Sequence, residues 1–186
     1  VRPCETVKKK VDCSACHADQ VSQYQSSVHG TLHAKGDPDA PACLDCHDKH
    51  ATKSKNWQDS PTFPRNIPGL CARCHQEGQK AAVRIKGDLD IPSAYHESIH
   101  GTALTESGLL VTATCVSCHT AHNELPPDDP NSTVHPSRLA DTCGKCHHGV
   151  EQTLMTSVHW PGNTKTDRVL PTCNDCHSSH QISRTD

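Results

Sequence analysis

Six times along the chain, two cysteines stand three positions apart with a histidine directly after the second. The sets are Cys13, Cys16 and His17; Cys43, Cys46 and His47; Cys71, Cys74 and His75; Cys115, Cys118 and His119; Cys143, Cys146 and His147; and Cys173, Cys176 and His177. Two thiols at this spacing can each bond one of the two vinyl groups on one porphyrin edge. The histidine beside the second thiol then lies under the ring and can bind its iron. CxxCH is the attachment motif of c-type haem. Other uses of paired cysteines fit less well. A zinc ribbon needs no histidine after every pair, a thioredoxin-like site uses one CxxC, and iron–sulfur clusters use other cysteine runs. The motifs absorb all but one of the 13 cysteines, so the expected cofactor is six covalent haem c groups. Cys4 stands outside every motif and reads either as a thiol without a role or as one that pairs between molecules.

Of the 16 histidines, those not in a motif fall largely into two recurring contexts. One is Ser-x-His, at His29, His100 and His159. The other is CHxxH, at His50, His122 and His180. They alternate, and each unit reads CxxCH, Ser-x-His, CxxCHxxH. Equal numbers of irons and in-register histidines make these residues the expected distal ligands. His148, directly after His147, competes with His159, and His96, one turn before His100, competes with that residue. His33 and His135 are expected on propionates or water. Met155, the single methionine, could serve one haem at most.

The alternation divides the chain into three diheme modules, 13–50, 71–122 and 143–180, with an N-terminal arm 1–12, linkers 51–70 and 123–142, and a tail 181–186. The second module is the longest, and its excess lies between His75 and His100. Each linker has 20 residues and several prolines, among them Pro61, Pro64, Pro127 and Pro130. They read as extended, semi-rigid spacers.

The elements that position the ligands are expected to be helices. Val21, Tyr24 and Val28 repeat at helical spacing between His17 and His29, and Val150, Leu154 and Val158 do so between His147 and His159. A helix of that length spans about 18 Å, so His29 cannot share an iron with His17. His50 lies one turn from His47 on the same side and cannot share its iron. The simplest self-contained arrangement exchanges ligands inside each module. It pairs His17 with His50, His47 with His29, His75 with His122, His119 with His100, His147 with His180, and His177 with His159.

Composition agrees with a core that is not made of side chains. The chain of 186 residues has one Phe, two Tyr and two Trp, and 33% hydrophobic residues. Such a sequence buries too little apolar surface to offset its own ordering. With about one motif per 31 residues, porphyrins are expected to fill the interior. The expected fold is mostly α and irregular, haem-cored, with little or no β-sheet. The net charge of −3, with mixed signs, gives no reason to expect nucleic acid. No apolar run nears the roughly 20 residues of a membrane span. No signal peptide is visible at Val1, which reads as a processed chain.

The repeated motifs from Cys13 to His180 resemble the multihaem c-type cytochromes with doubled CxxCH motifs. The chain is similar to small periplasmic electron-transfer proteins that feed reductases, and to extracellular cytochromes polymerised into haem filaments. The resemblance implies low-spin bis-His haems, close stacking, and export to the periplasm or the cell exterior. The expected function is long-range electron transfer without catalysis. The expected partners are other copies of the chain, head to tail, and redox proteins or extracellular acceptors. The alternatives are a periplasmic shuttle and a multihaem reductase with one open haem.

Overall fold

The computed structural model describes residues 12–49, 51–84 and 90–185. Cys4 and His50 lie outside them. Among the described residues the chain is helical and irregular, with no strand and a single isolated bridge between Pro161 and Thr164. The helices are short: α1 (Ala18–Ser26), α2 (Val28–Ala34), α3 (Cys43–Cys46), α4 (Ile67–His75), α5 (Ile91–Glu97), α6 (Ile99–Thr105), α7 (Cys115–His119), α8 (Leu139–Gly144), α9 (His148–Met155) and α10 (Cys173–His177). Helices this short are not stable alone. Tertiary contacts must hold them, yet the buried apolar residues among those described are only Phe63, Ile67, Ala82 and Leu104. The more numerous buried polar residues, such as Ser27, Ser60, Ser98 and Ser132, serve backbone geometry instead.

The segment from His17 to His29 is not one helix. It breaks at Ser27, whose extended backbone (φ −74°, ψ 166°) ends α1 and caps α2. Ser98 does the same between α5 and α6 (φ −71°, ψ 163°). In each case the serine hydroxyl accepts the amide proton of the third helical residue, Gly30 or Gly101, at 3.0 Å. This is ordinary N-capping, which outweighs the apolar spacing that suggested continuity.

The linkers are not extended spacers either. Each folds into successive three-residue turns on one pattern. Ser60 N–H donates to Trp57 O, Phe63 to Ser60 and Asn66 to Phe63, at 2.9, 3.0 and 2.8 Å. In the second linker Ser132 donates to Asp129, His135 to Ser132 and Arg138 to His135, at 2.9, 3.1 and 2.8 Å. A buried serine hydroxyl reaches back seven residues in both, Ser60 to Lys53 O and Ser132 to Leu125 O. Proline suits these turns because it presets φ and needs no donor. Both ladders run into the helix that carries the next CxxCH, α4 or α8. The extra length of module two reaches back to module one, where Arg84 forks to Asp37 and Asp39, each at 2.6 Å.

Candidate haem sites

The two motifs of a module are built differently. In modules two and three the first motif lies at the end of a helix, on α4 or α8, and the second opens one, α7 or α10. The opening motifs cap themselves. In α3 the Asp45 carboxylate accepts the Ala42 N–H at 2.7 Å, in α7 the Ser117 hydroxyl accepts Thr114 N–H at 3.0 Å, and in α10 Asp175 accepts Thr172 N–H at 2.6 Å. The middle residues of CxxC thus close the first turn. Helical spacing sets the two thiols and the histidine on one face, as attachment at one porphyrin edge requires.

Neighbouring motifs lie against one another. Within the modules, the Cys13 thiol meets that of Cys43, Cys71 meets Cys115, and Cys143 meets Cys173. Across the linkers, Cys46 lies in reach of Cys71, and Cys118 of Cys146. Taken in chain order, each motif adjoins the next, from the first to the sixth. As free groups, Cys43, Cys46, Cys71, Cys118 and Cys143 would resist ionisation. The bond that Cys71 donates to Cys115 and then burial raise Cys71, and burial followed by Cys173 raises Cys143 to about 12.

His29 and His100 project from two corners of matching construction. At each, a helix meets the next so closely that only glycine fits. A Cβ on Gly30 would lie 1.8 Å from Tyr24 O, and one on Gly101 would lie 2.0 Å from Tyr95 O. The same tyrosines anchor the corner to the next motif. Tyr24 donates its hydroxyl proton to Pro41 O at 2.7 Å, and Tyr95 donates to Ala113 O at 2.9 Å, both two residues before a CxxCH. Module three has Leu154 and Trp160 at these positions. Its Ser157 hydroxyl accepts the His159 N–H instead, at 3.1 Å, and no second helix forms.

Four pairs of histidine rings face one another. His29 stands opposite His75 and His100 opposite His147, with centres 6.1 Å apart and planes tilted 49° and 42°. His47 stands opposite His122 at 6.2 Å and His119 opposite His180 at 6.1 Å, with planes 15° and 10° apart. An imidazole nitrogen binds a metal at about 2.0–2.1 Å and lies roughly 1.1 Å from its ring centre, so two imidazoles on opposite faces of one iron have centres roughly 6.3 Å apart. The four pairs therefore fit axial ligation of haem. Among the described residues no group of three or more His, Cys, Asp or Glu gathers around a point that could hold a metal. Histidines in twos suit a metal that brings four porphyrin nitrogens with it.

This pairing departs from exchange within modules. His29 and His100 each face the first proximal histidine of the following module, and His122 and His180 each face the second proximal histidine of the preceding one. Of the intramodule pairs, those joining His47 with His29, His75 with His122, His119 with His100 and His147 with His180 are replaced. The cause is local. Thr120 and Ser178, next to His119 and His177, take positive φ (66° and 61°), the region that favours glycine. These turns swing His122 and His180 away from their own module. Thr120 is held by accepting Asn123 N–H at 3.1 Å, and Ser178 by donating to Gln181 O at 2.6 Å. The pairing of His17 with His50 lies outside the described residues, and no described ring stands opposite His17, His159 or His177 in the way of the four pairs.

The surroundings favour neutral imidazole, the form that binds metal. Burial holds His29, His47, His75, His100, His119 and His122 below the ordinary histidine range. His177 donates Nδ1–H to Ser183 O at 2.9 Å, which leaves Nε2 as the nitrogen able to bind a metal. Glu124, whose carboxyl burial pushes up, lies 3.7 Å from His29 Nδ1. The remaining histidines form none of the four pairs. His100 rather than His96 faces His147, His148 contacts Glu151 at 3.2 Å, His135 accepts from Ser137 N at 3.2 Å, and His33 packs near Tyr24. The tyrosine anchors, the two strained turns and Glu124 escaped the sequence reading. Only the tyrosines left a signal, five residues before His29 and His100.

A family model described as "Doubled CXXCH motif" matches residues 33–80. The match joins the second motif of module one to the first of module two, across the linker that the ring pairs also bridge. No characterised protein and no solved structure matches the chain. The matched pair of motifs supports a multihaem c-type cytochrome with covalent haem c, and points to haem-based electron transfer. Proteins of this class are typically exported, and no described helix is long and apolar enough to cross a membrane.

Proposed function

We propose that the chain conducts electrons along a file of six bis-histidine haems, as a head-to-tail repeating subunit of a filament outside the cytoplasm. The facing histidine pairs carry this reading. Cys13, Cys16, Cys43, Cys46, Cys71, Cys74, Cys115, Cys118, Cys143, Cys146, Cys173 and Cys176 would hold the groups, and the motif histidines would be their proximal ligands. Bound haem supplies one-electron chemistry at iron. Imidazoles on both faces leave no place for a substrate, which favours conduction over a reductase. The adjoining motifs give electrons a continuous path, with redox proteins or extracellular acceptors at its ends.

Intact mass and electron paramagnetic resonance of native protein test the reading. Six haems per chain, all low-spin in assembled material, are expected. Fewer haems, or a high-spin signal in assembled protein, would favour a reductase. Monodisperse monomers at every concentration in electron microscopy and light scattering would leave a periplasmic shuttle.

A further inference from the structure

We propose that Arg73 and Lys145, the cations inside the first CxxCH of modules two and three, raise the potential of the haem on the preceding motif. Arg73 acts on the haem of Cys43 and Cys46, and Lys145 on the haem of Cys115 and Cys118. The inference rests on the reading of the chain as a file of bis-histidine haems and names two residues that set potentials along it.

The residue before the second cysteine differs in kind between the two motifs of a module. In the second motifs it is Asp45, Ser117 or Asp175. Each of these closes the first turn of its helix by accepting a backbone N–H. The first motifs of modules two and three end a helix, so no such cap is required, and the position holds Arg73 or Lys145. In module one it holds Ala15. The two cations therefore fall where one module meets the next.

Both act across the linker. Arg73 lines a cavity of about 310 Å³ together with Asp45, Cys46, His47 and Lys49. One attachment cysteine and the proximal histidine of the second motif thus share a cavity with a guanidinium from the following module. Lys145 stands in the same relation to Cys118 at the second joint. Burial is the main cause that raises the Cys46 and Cys118 thiols, and Arg73 and Lys145 are the cations that oppose it. Asp45 and Glu124 act against Arg73 at the first joint. The haems of Cys13 and Cys143 are followed instead by motifs with Asp45 and Asp175 at this position.

Reduction brings one electron to the iron from a neighbouring haem or a redox protein, and no bond forms or breaks. The haem becomes one unit more negative, so a nearby cation favours the reduced form. The rival account is helix stability. A cation near a helix C-terminus complements the helix dipole. Arg73 lies in the last turn of α4, and Lys145 is the residue that closes α8. On that account their removal changes unfolding and leaves the potentials alone.

The test is a redox titration of the holoprotein, read through haem methyl resonances assigned to their motifs. At a fixed applied potential, Arg73→Gln should lower the reduced-to-oxidised ratio of the haem of Cys43 and Cys46 by about two- to fivefold, the size of an exposed charge pair. Arg73→Lys should preserve the ratio. Lys145→Gln should lower the ratio of the haem of Cys115 and Cys118 and leave the first joint unchanged. Both shifts should shrink as salt is raised. If the ratios hold while unfolding stability falls, the cations serve their helices and the proposal falls. If the haem of the cation's own motif moves in place of the preceding one, the proposal also falls, and conduction stands. A high-spin haem in assembled wild type would defeat the conduction reading and this assignment with it.

Discussion

In module two the corner that presents His100 is clamped from several sides, whereas in module three the corner that presents His159 is loose. Gly101 lets α6 press against α5, Ser98 caps α6, and Tyr95 ties the corner to the residues before Cys115. In module three Trp160 stands in the glycine position, Pro161 follows it, and Leu154 has no hydroxyl to donate. The segment after α9 stays in turns and its histidine is exposed. The clamped corner aims at a module already present in the chain. No described ring faces the loose one in the way of the four pairs. A ligand position is therefore set partly by local sequence and partly by the group it meets.

The largest break in this contrast should come from Gly101→Ala. The new Cβ would lie 2.0 Å from Tyr95 O and 2.8 Å from His96 Cα, both backbone atoms that cannot move aside. Overpacking of this kind should cost about 3 kcal/mol or more. Denaturant unfolding of the holoprotein should show the loss, together with a high-spin signal from the haem between His147 and His100. Trp160→Gly should show no comparable destabilisation.

Ser98→Ala comes next. It removes the cap on Gly101 N–H and the 2.6 Å bond to Tyr95 O, and should cost about 1–2 kcal/mol. Ser157→Ala, at the looser corner, should cost less in the same unfolding experiment. Tyr95→Phe removes a single hydrogen bond and should lower stability by about 1 kcal/mol. Leu154→Phe should leave the unfolding midpoint nearly unchanged. An equal effect at both positions would mean that the tyrosine acts through its ring, not its hydroxyl.

The smallest effect concerns Glu124, which Ile182 replaces at the second joint. Burial raises the Glu124 carboxyl above its ordinary value. The folded chain then holds a proton there at a pH where the unfolded chain has released it. This contributes stability below the ordinary carboxylate pKa, and the contribution is lost as pH rises through the raised value. Once ionised beside His29, the carboxylate favours ferric iron. The potential of the haem between His75 and His29 should fall as pH rises through that window, by no more than about 1 kcal/mol at a partly exposed site. Glu124→Gln should flatten this dependence in pH-resolved redox titration, and the haem between His147 and His100 should not show it.

The fold class was legible because it rests on composition, and the doubled CxxCH motif was legible through its spacing. CxxCH reports itself, and so does the near absence of aromatic residues. The partners of the distal histidines were not legible. Distance along the chain favoured exchange within a module, and the turns that overrule it are a threonine and a serine at positive φ, where neither residue is expected. The break at Ser27 was readable as a cap but was outweighed by the stripe of Val21, Tyr24 and Val28. The linkers misled through their prolines, since a ladder of turns and an extended spacer both tolerate proline. The serines at positions 60 and 132, seven residues after their acceptors, were the clue that distinguished them.

His29 reaches forward past the joint while His122 reaches back, so modules one and two are hooked through each other like links rather than laid side by side. Pulling on the ends would load the crossed imidazole–iron bonds at once. The linkers, folded into turns, hold slack that would be drawn out only after a link opened. Such a row would stretch little, carry tension along the same groups that carry charge, and part at a joint rather than within a module.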